Sequence, residues 1–253
     1  MLEVHVLASG SDGNCTVIES DDEAIMIDAG VSCKRIMALM DLAGVDSDMI
    51  SAILVTHEHT DHVSGVGAVA RKLDVPVYST QGTFGASKMG NVDFHPVDKT
   101  APFDIGHMHI TPLPTSHDAV DPCCYYTETD QGNVLLATDT GVLNFQIEHA
   151  LAQADIAILE SNYDPNMLAN GPYPVYLKKR IRSEIGHLSN FDCADAVRRN
   201  LKENAQLFLA HLSKTNNIPD LARQTVSDNS GVDRRKVDCM EFQGDVRTIT
   251  GKV

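Results

Sequence analysis

Along the first eighty positions apolar residues come in short bursts, each closed by a polar or glycine turn. "LEVHVLA" predicts a first strand, and "SGSDGN" after it a tight glycine turn. "CTVIES" and "EAIMIDAG" predict a hairpin about Asp21–Asp22. The period then lengthens: "CKRIMALMDLAG" predicts a helix that stops at Gly44, a residue suited to a C-cap. "SAILVTH" is continuous and rich in β-branched residues, the pattern of a buried strand. A helix over "SGVGAVARKL" and a strand over "VPVYST" follow.

The second half repeats this rhythm. "HMHITPLPTSH", "CCYYTETD" and "GNVLLATDTG" predict strands, the last two joined by a turn at Gln131–Gly132–Asn133. A helix around Leu143–Leu151 leads to the strand "DIAILES"; "NFDCADAVRRNLK" predicts a helix, "QLFLAH" a strand and "IPDLARQTV" a helix. The adjacent Tyr125 and Tyr126 should pack one ring on each face of their strand. Strands and helices in this order predict an α/β fold. No repeat or linker divides the chain, so residues 1–253 are expected to form one domain. Asp28, His57, His117, Asp139 and His211 each stand where an apolar strand ends, and α/β sheets build sites along such an edge.

Composition narrows the reading. The 43% hydrophobic and 22% charged fractions are ordinary for a globular protein. No run reaches the roughly 18 apolar residues of a membrane helix. "MLEVHVLASG" lacks the basic and apolar regions of a signal peptide, so a cytoplasmic protein is expected. The 6 cysteines form no C-x-x-C pair, and reduced, mostly buried thiols are expected. The net charge of −15, from 20 Lys+Arg against 35 Asp+Glu, argues against a general nucleic-acid coat protein. It leaves room for positive charge that is local.

The chemistry is concentrated in "ILVTHEHTDHVSG", Ile53 to Gly65, where His57, His59, Asp61 and His62 spell H-x-H-x-D-H. The helical protease motif H-E-x-x-H does not fit, because the position four after His57 is Asp61. Imidazoles two apart on an extended segment can point the same way, and Asp61 and His62 follow as the chain curls toward a helix. One short loop can thus feed two adjacent metals, each needing further ligands from elsewhere. His117, Asp139 and His211 are suitably placed to supply them. Zinc suits this histidine-rich set and manganese suits mixed nitrogen and oxygen ligands, so the identity of the metal stays open.

With Asp28 in "MIDAG", the "HEHTDH" loop, His117 in "PTSHDA", Asp139 in "TDTG" and His211 in "LAHLS", the chain resembles the metallo-β-lactamase superfamily over nearly its whole length. Through "VLASGSDGN", "ILVTHEHTDH", "LESNYD", "GHLSN" and "AHLSKTNN" it is most similar to the YycJ/VicX (WalJ) group. The resemblance implies a four-layer αβ/βα sandwich with two divalent ions, Zn2+ or Mn2+, between loop ends of the two sheets. It implies that His57, His59 and His117 hold one metal, and Asp61, His62 and His211 the other. Asp139 would bridge them, with a bridging hydroxide as nucleophile. Asp28 either orients a ligating histidine or caps the turn before Gly30.

"GHLSNFDCADAV" resembles the segment of tRNase Z-like and RNase J-like nucleases whose histidine meets the scissile phosphate, which implies that His187 is a general acid. Ser189 and Asn190 would cap a helix beginning at Phe191 and lie near the substrate. Lys178, Lys179, Arg180 and Arg182 form either a local guide for a nucleic-acid backbone or a solvated helix face. "SGSDGN" either offers backbone N–H groups, with Asn14 as a side-chain donor, or is a plain hairpin loop. His107 and His109 alternate along a strand, so that one faces outward, and His5, His95 and His149 have no ligand context; Tyr163 stands where relatives often carry histidine. The stretch from Asp139 to His187 is too short for the extra domain of RNase J-like enzymes, and nothing resembles the arm of tRNase Z. The resemblance therefore implies a minimal hydrolase, an exonuclease working from 5′ ends of single-stranded DNA. The acidic balance favours the alternative, a cyclic phosphodiesterase, lactonase or glyoxalase II-like thioesterase. Oligomeric state is not readable from the sequence.

Overall fold

Two sheets stack face to face, each covered on its outer side by helices, in a computed structural model that describes residues 1–241 and 245–251. The first half of the chain supplies β1 (Leu2–Ala8), β2 (Cys15–Ser20), β3 (Glu23–Ile27), α1 (Cys33–Ala43), β4 (Ile50–Leu54), α2 (Thr60–Val63), α3 (Val66–Leu73), β5 (Val77–Ser79), α4 (Gln81–Ala86) and β6 (Phe94–Pro96). The second supplies β7 (Phe103–Ile105), β8 (Met108–Pro114), β9 (Cys123–Thr129), β10 (Gly132–Ala137), α5 (Phe145–Gln153), β11 (Ile156–Glu160), α6 (Pro165–Asn170), α7 (Val175–Ile181), α8 (Asn190–Asn200), β12 (Gln206–Ala210), α9 (Pro219–Ser230) and β13 (Val237–Cys239). The chain then returns to the first sheet as β14 (Arg247–Thr250), antiparallel to β1 with Glu3 opposite Thr250. The strand orders are β14-β1-β2-β3-β4-β5-β6 and β13-β12-β11-β10-β9-β8-β7.

Three apolar layers follow from the two-residue period of the strands. Val4, Ile25 and Leu54 of the first sheet meet Tyr125, Leu136 and Phe208 of the second across the middle. Met26 and Ile53 face outward onto Ile36 and Met40 of α1 and Val69 of α3. Leu135, Leu159 and Leu209 face outward onto Leu151, Val197 and Val226 of α5, α8 and α9. Tyr125 thus lies in the middle layer and Tyr126 in an outer one, one ring on each face. The cysteines are free thiols, and burial pushes that of Cys123 up to about 12.

Several boundaries differ from the sequence pattern. The helix expected over "SGVGAVARKL" begins earlier as α2 and restarts as α3 after Gly65. A side chain at Gly65 would stand 2.1 Å from the Val31 carbonyl oxygen, so this junction is a close backbone crossing. The helix α5 starts at Phe145 because the Asn144 side chain caps it, accepting the Ile147 N–H. The helix α8 starts at Asn190, one residue before the expected Phe191, with Ser189 as its cap. The short elements β6, β7, β13, α4, α6 and α7 carry too few periodic apolar positions to be read from the sequence. The parallel strands β3 and β4, like β10, β11 and β12, end on the same side, and the polar residues gather there.

Candidate metal centre

Each strand of that edge hands over at least one polar group. Asp28 follows β3; Thr56, His57 and His59 follow β4, with Asp61 and His62 in the single turn of α2. His117 follows β8, Asp139 follows β10, Glu160 ends β11 and His211 follows β12. Asp28, Asp139 and His211 have left-handed backbones, with φ of 59°, 53° and 56°. Each costs an L-residue roughly 1–2 kcal/mol. Three such residues in one place show the strand ends bending to aim their side chains at a common point.

The aim is convergent. Nitrogens of His57, His59 and His117 lie within 4.8 Å of one another, and so do ligand atoms of Asp61, His62 and His211. Asp139 stands between the groups, its carboxylate oxygens 3.2 Å from His62 Nε2 and 3.7 Å from His117 Nε2. His117 Nε2 and His59 Nδ1 face each other at 3.3 Å. Two ligands of one tetrahedral zinc, each at about 2.1 Å, take almost that spacing, about 3.4 Å.

Backbone hydrogen bonds fix the loops that carry these groups. Asn14 N–H donates to the Asp61 carbonyl, Gly30 N–H to that of Asn14, and Ala29 N–H to that of His62. A side chain at Gly30 would lie 1.6 Å from the Asp61 carbonyl oxygen, so the three segments can meet only around a glycine.

The surrounding hydrogen bonds decide which nitrogen each ring presents. His62 Nδ1 donates to Asp28 Oδ2 at 2.7 Å, so Asp28 orients a histidine. His57 Nδ1 lies 3.0 Å from Thr56 Oγ1, whose hydroxyl donates to Asp28. His117 Nδ1 donates to the Gly186 carbonyl, and His211 Nδ1 to Glu160 at 3.0 Å. All four rings are therefore pinned at Nδ1 and turn Nε2 inward, the arrangement ligating histidines take. His57 Nε2, His211 Nε2 and Asp139 Oδ2 are buried without a hydrogen-bond partner among the described residues. Each such group costs about 1–3 kcal/mol. A cation among them removes that cost, and the donor set fits one. Titrating metal into chelated protein to about 100 times its Kd should therefore raise Tm by roughly 5–10 °C, read by calorimetry.

Protonation is strongly biased within the cluster. Burial holds His57 well below the usual imidazole value. Burial also acts to lower His62, but the carboxylates of Asp28 and Asp139 outweigh it and raise it to about 10. Burial would raise Asp139, yet the neighbouring His211 and His62 keep it well below the usual carboxylate range. A cation entering this network displaces protons.

Glu160 went unnoticed in the sequence although it lies within "LESNYD". It is fully buried and holds His187 Nδ1 at 2.7 Å as well as His211. Its other oxygen accepts the Thr140 N–H at 2.8 Å. A carboxylate closing an otherwise apolar strand was the available signal. His187 lines the same cleft of about 260 Å³ as His59, His117 and Asp139. Burial acts to lower the His187 imidazole, but Glu160 holds it above its ordinary value.

The three residues expected near substrate are placed differently. Asn14 accepts the Gly10 N–H with its amide oxygen, which directs Nδ2 inward to His62 Nε2 at 2.9 Å. Ser189 caps α8, accepting the Asp192 N–H and donating to its carboxylate. Asn190 is fully buried, its amide bonded to Ser161 and Asn217. All three brace the site from within, because the turns that bring them close also turn their amide or hydroxyl groups to the interior. Of the basic residues Lys178, Lys179, Arg180 and Arg182, Arg180 alone lines the cleft, paired with Asp118 at 2.5 Å. Tyr163 packs with Leu168 and Ile181.

Residues 8–172 match the metallo-beta-lactamase superfamily. The chain is 38% identical over 235 residues to the exodeoxyribonuclease YycJ of Bacillus anthracis, covering 89% of this chain and 88% of that one. It is 38% identical over 231 residues to the exodeoxyribonuclease WalJ of Streptococcus pneumoniae, covering 87% and 85%. The metallo-beta-lactamase fold protein YhfI of Bacillus subtilis superposes with a TM-score of 0.76 at 17% identity, covering 98% of each chain. That likeness speaks to the fold alone.

Proposed function

Because the chain belongs to the metallo-beta-lactamase superfamily, we propose that it is a cytoplasmic, metal-dependent phosphodiesterase that removes nucleotides from the 5′ ends of single-stranded DNA. The observation that carries this reading is His187, tied to buried Glu160 and opening onto the cleft that holds the ligand cluster. The similarity to two exodeoxyribonucleases along most of the chain supports it. No helix among the described residues is long and apolar enough to cross a membrane.

In this reading His57, His59 and His117 would hold one divalent ion, and Asp61, His62 and His211 a second, with Asp139 placed beside both groups; zinc or manganese would suit the set. Metal bound there would supply the Lewis acidity to activate water and offset charge on the phosphate. The chain does the rest. Asp28 and Thr56 keep the His62 and His57 rings in register, and Glu160 does so for His211. Glu160 also accepts the Nδ1–H of His187 and favours the protonated ring, so that Nε2 gives its proton to the departing oxygen and leaves a neutral imidazole. Asp61 and Asp139 are held as carboxylates by the surrounding imidazoles.

Metal-loaded protein offered labelled single-stranded DNA, bis-p-nitrophenyl phosphate, a lactone and a thioester should cleave the DNA stepwise from its 5′ end and also turn over the small diester. Turnover confined to the acyl substrates would replace this reading with that of a small-molecule hydrolase.

A further inference from the structure

The helix α7 forms one wall of the cleft. Leu177, Arg180 and Ile181 line it, together with Tyr173 just before the helix. A helix turns by roughly 100° per residue, so from that face the surface runs from Arg180 to Tyr176 and then to Lys179. Tyr176 is 75% exposed, and its ring has no stacking or hydrogen-bond partner among the described residues. Between Tyr173 and His187 four cations, Lys178, Lys179, Arg180 and Arg182, stand against one carboxylate, Glu184, in a chain whose net charge is −15. A bare aromatic ring flanked by cations at the rim of a cleft suits a polyanion whose flat groups are unpaired.

We propose that Tyr176 is a stacking platform for a base of the single strand leading into the cleft, with Lys179 and Arg180 flanking its backbone. This rests on the nuclease reading and adds a residue and a mode of recognition to it. Duplex DNA keeps its bases stacked inside and cannot use the ring, whereas an unpaired strand can. The exposed ring is thus a source of preference for single strands at a site whose metal ligands read only phosphate. Arg180 is partly neutralised by Asp118, which leaves Lys179 as the cation beside the ring that has no ion pair among the described residues.

The test uses the full, metal-loaded chain with Tyr176→Ala and Tyr176→Phe. Binding is read with a phosphorothioate-linked single strand carrying 2-aminopurine, whose fluorescence falls on stacking; the chain has 0 tryptophans to interfere. Wild type and Tyr176→Phe should quench the probe. Tyr176→Ala should lose the quench and raise Kd by about 5- to 150-fold, the range of one stacked base. On cleavable DNA the same variant should raise KM by a similar factor relative to its KM for bis-p-nitrophenyl phosphate, with kcat little altered. An unchanged Kd and quench in Tyr176→Ala would overturn the platform while DNA cleavage stands. Failure of the wild type to cleave DNA would instead overturn the nuclease reading, and the binding arm would still decide on the ring.

Discussion

Purified His59→Ala protein is expected to lose metal and turnover together. His59 presents Nδ1 to His117 Nε2 at 3.3 Å, and His57 Nε2 completes that group. If His59 is one of three histidines on that ion, its removal leaves two histidines and an Asp139 shared with the second group, one ligand fewer than the site is built for. Removing a mere outer partner of a ligand lowers metal affinity by about 10–100-fold, and a direct ligand contributes more. At micromolar metal the variant should therefore show depleted metal by elemental analysis and DNA cleavage no faster than that of the chelated wild type. His59 sits on a half-exposed turn, so the substitution leaves the buried layers intact. Full metal content with full activity would remove His59 from the ligand set.

His187→Ala should behave in the opposite way, keeping metal but losing turnover. The ring touches Glu160 at 2.7 Å and lies 3.7 Å from Asp139, so it is next to the ligand cluster without completing either proposed ligand set. A positioned general acid contributes about 10²–10⁴-fold, and kcat on DNA should fall by that much. A leaving group already stable as an anion needs no proton, so bis-p-nitrophenyl phosphate should suffer far less. An equal loss on both substrates would assign His187 to phosphate positioning. Undiminished cleavage of DNA would end its catalytic role.

The legibility of this chain follows the range of each interaction. Strand-length apolar runs such as "SAILVTH" and "GNVLLATDTG" were readable because burial imposes a period on the residues themselves. The H-x-H-x-D-H turn was readable because its candidate ligands are close in sequence, and the candidates His117, Asp139 and His211 because each follows an apolar run. Glu160 was not, since a single carboxylate at the end of β11 gains meaning only from His187 and His211, which are 27 and 51 positions away. Asn14 was expected as a donor in the glycine turn and Asn190 as a helix cap near substrate, but the direction of an amide is set by what packs around it.

By itself, then, the sequence determined the alternation of strands and helices, the histidines and carboxylates that could hold metal and the edge on which they stand, all consequences of local spacing. Tertiary structure alone decided that Asp28, Asp139 and His211 adopt left-handed backbones, that four imidazoles are pinned at Nδ1, and that α7 stands over the cleft with Tyr176 bare. These depend on contacts between segments far apart in the chain, and no local period encodes where two sheet edges meet.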